Sequence, residues 1–381
     1  MKEGWTYKKL GEICELIMGQ SPESSSYNKE GEGLPFFQGC SDFGTLNPNV
    51  TTYCNAPLKI AEPLDVLMSV RAPVGTLNIA NVKCCIGRGL ASFRQIEGQS
   101  CYKFLYYLLK SAQPIFQQNS TGATFKAIGK SFITNYKIEY PPVFTQQQIV
   151  TELDLLSDVI ENQKAQIEEL DKLAQSIFYN MFGDPVTNEK GWDIDNLKDI
   201  CNKITDGTHD TPQRLDNGIK FITGKHIRPF FIDYENSDYV TEDVHKEIYS
   251  RCNPEFGDVL YTNIGAGVGN AAVNIVNYEF SMKNVALLKF SDQKAKGVYI
   301  VHYLNEPRVK EKIIEDFSNG GAQIFLSLKS IGRITVPLPP LALQQEFAAK
   351  VEAIEQMKAK VRQSLKESEE LFNSRMDYYF N

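Results

Sequence analysis

Tyr140-Pro141-Pro142-Val143-Phe144-Thr145-Gln146-Gln147-Gln148-Ile149 lines up with Leu338-Pro339-Pro340-Leu341-Ala342-Leu343-Gln344-Gln345-Glu346-Phe347 at a constant register of 198 residues. The register holds to Ser176-Ile177-Phe178-Tyr179-Asn180-Met181-Phe182, which faces Ser374-Arg375-Met376-Asp377-Tyr378-Tyr379-Phe380. After each Pro-Pro comes a long segment without Pro or Gly. In the first, Ile149, Leu153, Leu156, Ile160, Ile167, Leu170, Ala174, Ile177 and Met181 fall at alternating four-three spacing, with Gln163 the one polar member. That spacing is a coiled-coil heptad rather than a globular amphipathic stripe. Thr145 and Gln148 have capping-box spacing, and Gly183 followed by Pro185 supplies a stop. The second segment repeats the seam more loosely through Phe347, Val351, Ile354, Val361, Leu365, Phe372 and Tyr379, with Lys358, Ser368 and Arg375 interrupting it.

Working outward, the globular stretches before these segments also recur. Gly4-Trp5 followed by Leu10-Gly11-Glu12-Ile13-Cys14 returns as Gly191-Trp192 followed by Leu197-Lys198-Asp199-Ile200-Cys201. The strand-like Leu64-Asp65-Val66-Leu67-Met68-Ser69 is echoed by Gly257-Asp258-Val259-Leu260-Tyr261-Thr262, and Gly122-Ala123 by Gly321-Ala322. The 381 residues therefore divide into a domain 1–145, a helix 146–183, a domain 184–340 and a helix 341–381. Each buried aliphatic is worth about 1.5 to 3 kcal/mol, so neither seam can stay exposed. The simplest partner for each helix is the other, packed antiparallel. The expected fold is α+β, with two repeated α/β domains separated by two long antiparallel coiled-coil helices about an internal pseudo-two-fold. A helix over 146–182 is about 55 Å long and would hold two domains apart.

Composition excludes other classes. Hydrophobic residues make up 42% and charged residues 23%, an ordinary globular profile. The net charge of -7 argues against a uniformly basic nucleic-acid coat protein. Its distribution is uneven: 1–145 carries 14 basic against 11 acidic residues, 146–183 carries 2 against 7, 184–340 carries 18 against 22, and 341–381 carries 6 against 7. The acidic first helix is unsuited to a phosphate backbone and suited to docking proteins. The net acidic second domain must gather its cations on one face to bind nucleic acid. Met1-Lys2-Glu3-Gly4-Trp5 lacks an apolar signal core and no run of 18 apolar residues occurs, so a cytoplasmic protein outside the membrane is expected. The 8 cysteines and 4 histidines show no zinc-ligand spacing, and neither a metal nor a disulfide framework is expected.

Catalytic motifs are scarce. Asn47-Pro48-Asn49-Val50 lacks the second Pro and the aromatic residue of the motif with which adenine methyltransferases hold a flipped base. Gly265-Ala266-Gly267-Val268-Gly269 follows a strand as a nucleotide loop would, but Ala271-Ala272-Val273-Asn274-Ile275-Val276 after it reads as another strand, so it is a turn between strands. No P-loop occurs. His209 in Asp206-Gly207-Thr208-His209-Asp210 reads as a binding or capping residue, and Cys14 and Cys201, equivalent in the repeat, read as core packing.

What the loops do hold is side chains suited to base edges and phosphates, beside glycines that permit close backbone approach. In the first domain these are Gln20, Ser21, Gln38, Arg71, Arg88, Thr124 and Lys126; in the second, His209, Lys225, Arg228, Asn263, Lys283 and Gln323. Arginines and lysines suit guanine or phosphate, and Gln20, Gln38, Asn263 and Gln323 suit an adenine edge.

The whole chain resembles a specificity (S) subunit of a type I DNA restriction-modification system. That family alternates two target-recognition domains with two helical segments opening at Pro-Pro-x-x-Glu-Gln-x-x-Ile, matched at Pro141-Pro142 with Gln146 and Ile149 and at Pro339-Pro340 with Gln344 and Phe347. Thr145 and Leu343 stand where the family has Glu, and of these only Thr145 can cap a helix. Gly19-Gln20-Ser21-Pro22 and Asp206-Gly207-Thr208-His209-Asp210-Thr211-Pro212 resemble family turns. The resemblance implies a chain without catalysis or cofactor of its own. It would pair with two methylation (M) subunits, which bind S-adenosylmethionine, and with restriction (R) subunits, which use ATP and Mg. It would read double-stranded DNA at a bipartite, asymmetric target, with a spacer of roughly 10 to 13 base pairs between domain centres. The other readings are a coiled-coil adaptor that does not read DNA and a stand-alone adenine methyltransferase.

Overall fold

A computed structural model describes residues 4–122, 126–265, 267–290, 293–317 and 324–380. The chain forms two compact units, one of 1–164 with 363–381 and the other of 165–362. The division falls inside both long helices, Val143–Phe182 and Leu341–Phe380, so each unit owns a globular part and a piece of each helix.

In the first unit, Cys14–Met18, Leu90–Gln95, Val66–Ser69 and Leu77–Ile79 make a four-stranded antiparallel sheet in that order. A second sheet is built around a parallel pair, Leu34–Phe37 beside Cys84–Ile86. Thr6–Lys9 pairs with Lys137–Tyr140, tying the start of the domain to the strand that feeds the first long helix. The helix Tyr102–Gln118 lays Phe104, Leu105, Leu108, Leu109 and Phe116 on the core with Phe93 and Ile133. Ile149, Leu153 and Ile160 of one long helix and Phe372 and Met376 of the other complete that core.

The second unit repeats the plan with different side chains. Cys201–Asp206, Ala286–Phe290, Val259–Tyr261 and Ala271–Val273 form an antiparallel sheet of the same order. Ile219–Thr223 runs parallel to Ser281–Lys283, and Asp193–Asn196 pairs with Thr335–Leu338. Val259–Tyr261 and Ala271–Val273 are antiparallel neighbours, with Gly269 N–H donating to the Thr262 carbonyl at 2.9 Å, so Gly265, Gly267 and Gly269 lie between two paired strands and not between a strand and a helix as in a nucleotide loop. The core gathers Tyr261, Leu288, Tyr299, Ile300 and Leu304 with Phe178, Phe182 and Phe347 of the long helices.

The predicted seam is buried or half-buried along its whole length, and its polar members are paired within each unit. In the first, Gln163 Nε2 donates to Ser364 Oγ at 2.9 Å and Arg375 bonds Glu152. In the second, Lys358 Nζ lies 2.6 Å from both Asp171 and Glu355. Glu152–Arg375 and Gln163–Ser364 run in opposite directions along the two helices of the first unit, and Asp171–Lys358 and Phe178–Phe347 do so in the second, so the helices are antiparallel in each unit. Two details differ from the sequence reading. Both helices begin directly after Pro-Pro, at Val143 and Leu341, so Thr145 lies inside the first turn and is not the cap, and Leu343 needs no capping role. Phe178 and Phe182, off the predicted seam, are buried because the helix end packs on its domain as well as on its partner helix. Gly183 ends the helix in the left-handed region at φ +77, where a Cβ would be strained. Its N–H donates to the Tyr179 carbonyl, and Trp192 Nε1 donates to the Phe182 carbonyl at 2.9 Å.

Candidate nucleic-acid interface

Backbone hydrogen bonds bring the first domain's candidate loops together. Gln20 N–H donates to the Ile86 carbonyl at 3.0 Å, Gly87 N–H to Phe37 at 2.8 Å, and Gly89 N–H to Gln38 at 3.2 Å. Val70 N–H donates to the Gly89 carbonyl at 2.9 Å and Ala72 N–H to the Lys126 carbonyl at 3.1 Å. Ser21 Oγ accepts from the Arg88 N–H at 3.1 Å. Segments scattered from 19 to 127 thus become neighbouring loops at the ends of both sheets. They carry Gln20, Ser21, Gln38, Arg71, Arg88 and Lys126, and all but the half-buried Ser21 are exposed. Thr124 lies outside the described residues.

The glycines here act differently from expectation. A Cβ on Gly19 would sit 2.2 Å from the Gly87 carbonyl oxygen, and one on Gly89 2.4 Å from that of Gln38. They let loop pack on loop, which presents the long side chains outward, rather than admitting a ligand to the backbone. Arg71, Arg88 and Lys126 form no ion pair among the described residues, so their charges are uncompensated. A cavity of about 520 Å³ beside Met18, Gly19 and Gln20 is also lined by Lys59 and Lys130, two cations that sequence reasoning passed over because no motif surrounds them.

The second domain has the equivalent joints. Gly207 N–H donates to the Val285 carbonyl at 3.2 Å and Thr208 N–H to the Met282 carbonyl at 2.9 Å, as Gly19 and Gln20 do to Leu90 and Ile86. The isolated bridge Ile264 to Phe325 answers Arg71 to Ala127. His209 is exposed, its Nε2 2.9 Å from Asp206 and its Nδ1 3.0 Å from Asn284 Oδ1, so it belongs to a hydrogen-bonded turn. Lys283 bonds Thr211 Oγ1. Lys225 and Arg214 each approach Asp238 Oδ2 at 3.1 Å, two cations on one carboxylate, and Arg228 is exposed nearby on Ile227–Arg228. Neither Arg214 nor Asp238 carries a sequence signal, since strand pairing alone brings the loop before Ile219 to Asp238–Val240.

Asn263 is a correction. It is 1% exposed, its backbone bonded to Leu326 and its Oδ1 without a partner among the described residues, so no base edge reaches it in this conformation. The hairpin that makes Val259–Tyr261 a core strand also draws the next two residues inward. Gln323 lies outside the described residues. Burial pushes the Cys14 and Cys201 thiols up to about 12, in keeping with core packing, and no metal-ligand cluster occurs among the described residues. No described helix is long and apolar enough to cross a membrane.

Comparisons with known proteins agree with this architecture. A putative type I restriction enzyme specificity subunit, MjaX of Methanocaldococcus jannaschii, is 44% identical over 177 residues, covering 46% of this chain and 42% of its own length. The MjaIX specificity subunit of the same organism is 26% identical over 381 aligned residues, covering 92% of this chain and 86% of its own length. The crystal structure of the type I restriction-modification S subunit from M. genitalium is similar in fold, with a TM-score of 0.62 at 19% identity over 99% of this chain and 96% of that one. The type I restriction modification DNA specificity domain matches residues 2–172 and again 189–368, once for each half of the repeat. With both halves matched, the chain belongs to the family of type I restriction modification DNA specificity proteins.

Proposed function

We propose that the chain is the non-catalytic DNA-specificity subunit of a cytoplasmic type I restriction-modification complex. Each globular part, 1–145 and 184–340, reads one half of a bipartite, asymmetric DNA target, and the helices 146–183 and 341–381 separate the readers and dock partners. The observation that carries this is the assembly of exposed Arg71, Arg88 and Lys126, without an ion pair among the described residues, with Gln20 and Gln38 on adjoining loops, repeated in topology around His209, Lys225, Arg228 and Lys283. Cations supply phosphate affinity, and amide and guanidinium groups supply base discrimination. Because the two sets differ in sequence, the two half-sites differ. Adenine methylation and restriction then reside in two M subunits and the R subunits, which bring S-adenosylmethionine, ATP and Mg.

Replacing residues 184–340 by the corresponding domain of another family member tests this. Sequencing of methylated DNA from the host should show one half of the motif changed and the other retained. A change in both halves, or in neither, would refute modular reading. Filter binding across a salt series separates a reader from an adaptor, because a reader keeps its site preference after non-specific affinity has collapsed.

A further inference from the structure

Gln146 and Gln344 are fully buried polar side chains, each at 0% exposure, on the first turn of a long helix. Gln146 Oε1 accepts from the Cys101 N–H at 3.2 Å, and Nε2 donates to the Gln99 carbonyl at 3.1 Å and the Pro141 carbonyl at 3.0 Å. Gln344 Oε1 accepts from the Lys296 N–H at 2.9 Å, and Nε2 donates to the Pro339 carbonyl at 2.9 Å and reaches the Lys294 carbonyl at 3.5 Å. Cys101 is the N-cap residue of Tyr102–Gln118 and Lys296 that of Gly297–Asn305, and neither caps its helix with its own side chain. The same amide therefore joins the same three places in both halves: the helix entry, the start of the domain's packing helix and the loop before it. Burying an amide is costly unless every group is paired, so these bonds define one geometry rather than a range. The neighbouring tyrosines reinforce the joints. Tyr140 Oη donates to the Gln99 carbonyl, and Tyr299 Oη to the Pro337 carbonyl at 2.7 Å.

We infer that Gln146 and Gln344 are positioning residues for target spacing: each locks the angle at which its reading domain leaves its helix, and together they restrict the DNA spacer to one length. This rests on the proposed DNA-reading function. The readers' own loops lie elsewhere in each domain, so loosening a joint relaxes spacing and leaves half-site sequence alone.

The test is selection of bound duplexes from a random library by the full chain, wild type against Gln146→Met and Gln344→Met. Methionine fills similar volume without the hydrogen bonds. The wild type is expected to prefer one spacer over neighbours a base pair away by about tenfold or more, and each variant by about threefold or less, with half-sites unchanged. A folded variant with wild-type spacing, or one with altered half-site bases, overturns the inference. Should a variant fail to fold, amide exchange in the wild type decides: Cys101 and Lys296 N–H must be as protected as the core strands, and exchange at open-loop rates overturns the joint. A wild type that selects no paired half-sites overturns the DNA-reading function first, before any variant is compared.

Discussion

Glu152 and Arg375 stand 223 residues apart in the chain, yet Arg375 Nη2 donates to Glu152 Oε2 at 2.9 Å across the two long helices of the first unit. An arginine that looked like a break in the seam is thereby a cross-helix contact. Both side chains keep about a third of their surface in solvent, so the pair is expected to contribute about 0.5 to 1 kcal/mol, which an Arg375→Ala, Glu152→Ala double-mutant cycle in urea measures. The Arg375 hydrogen bond holds the Glu152 carboxyl below the usual range. Its contribution is therefore present at neutral pH and disappears as acid carries the solution down through the glutamate range. A coupling that does not weaken in acid or in high salt contradicts this.

The first-domain loop face predicts two classes of variant. Alanine at Arg71, Arg88 or Lys126 should cost about 1 to 3 kcal/mol and relax a single motif position where the side chain reads a base. Where it grips phosphate, binding falls for all sequences and the salt slope drops by about 1. Titration against duplexes of selected and scrambled sequence distinguishes the two. Wild-type binding by all three variants would remove this face from the interface.

Asp238 holds Lys225 and Arg214 on one oxygen, which neutralises part of the positive charge of the second domain. Asp238→Asn should tighten non-specific DNA binding and steepen its salt dependence by about one unit of slope. Equal slopes for variant and wild type would place these cations away from DNA.

His302 lies among Phe178, Phe230 and Phe347, ring centroids 6.0, 4.7 and 4.9 Å away. Burial, with a smaller push from Lys358, lowers its pKa to about 4. The unfolded chain binds this proton near pH 6.5 and the folded one does not, so stability is complete above that value and falls as the pH drops toward 4. The loss should amount to about 3 kcal/mol and vanish in His302→Phe, as read by urea unfolding of the second unit. An unchanged pH profile in the variant would assign the acid sensitivity to other groups.

The heptad was legible because burial against a single partner stripe leaves a period that survives averaging, as the line from Ile149 to Met181 does. Phe178 and Phe182 were not, because their burial comes from Tyr299 and Phe347, contacts that no local period encodes. The candidate loops were legible as residue types; their adjacency was not. Asn263 was misread since its polar side chain says nothing about the hairpin that buries it.

Taken alone, the sequence determined the twofold repeat, the long helix that follows each Pro-Pro and the residue chemistry suited to DNA. Those features are encoded by register, by proline geometry and by side-chain type, all local properties. Only tertiary structure decided which of those residues share a face, that Gln146 and Gln344 are joints, and that Lys358 and Arg375 are paired. Each of these depends on segments tens to hundreds of residues apart meeting within hydrogen-bond distance, which only the folded chain brings about.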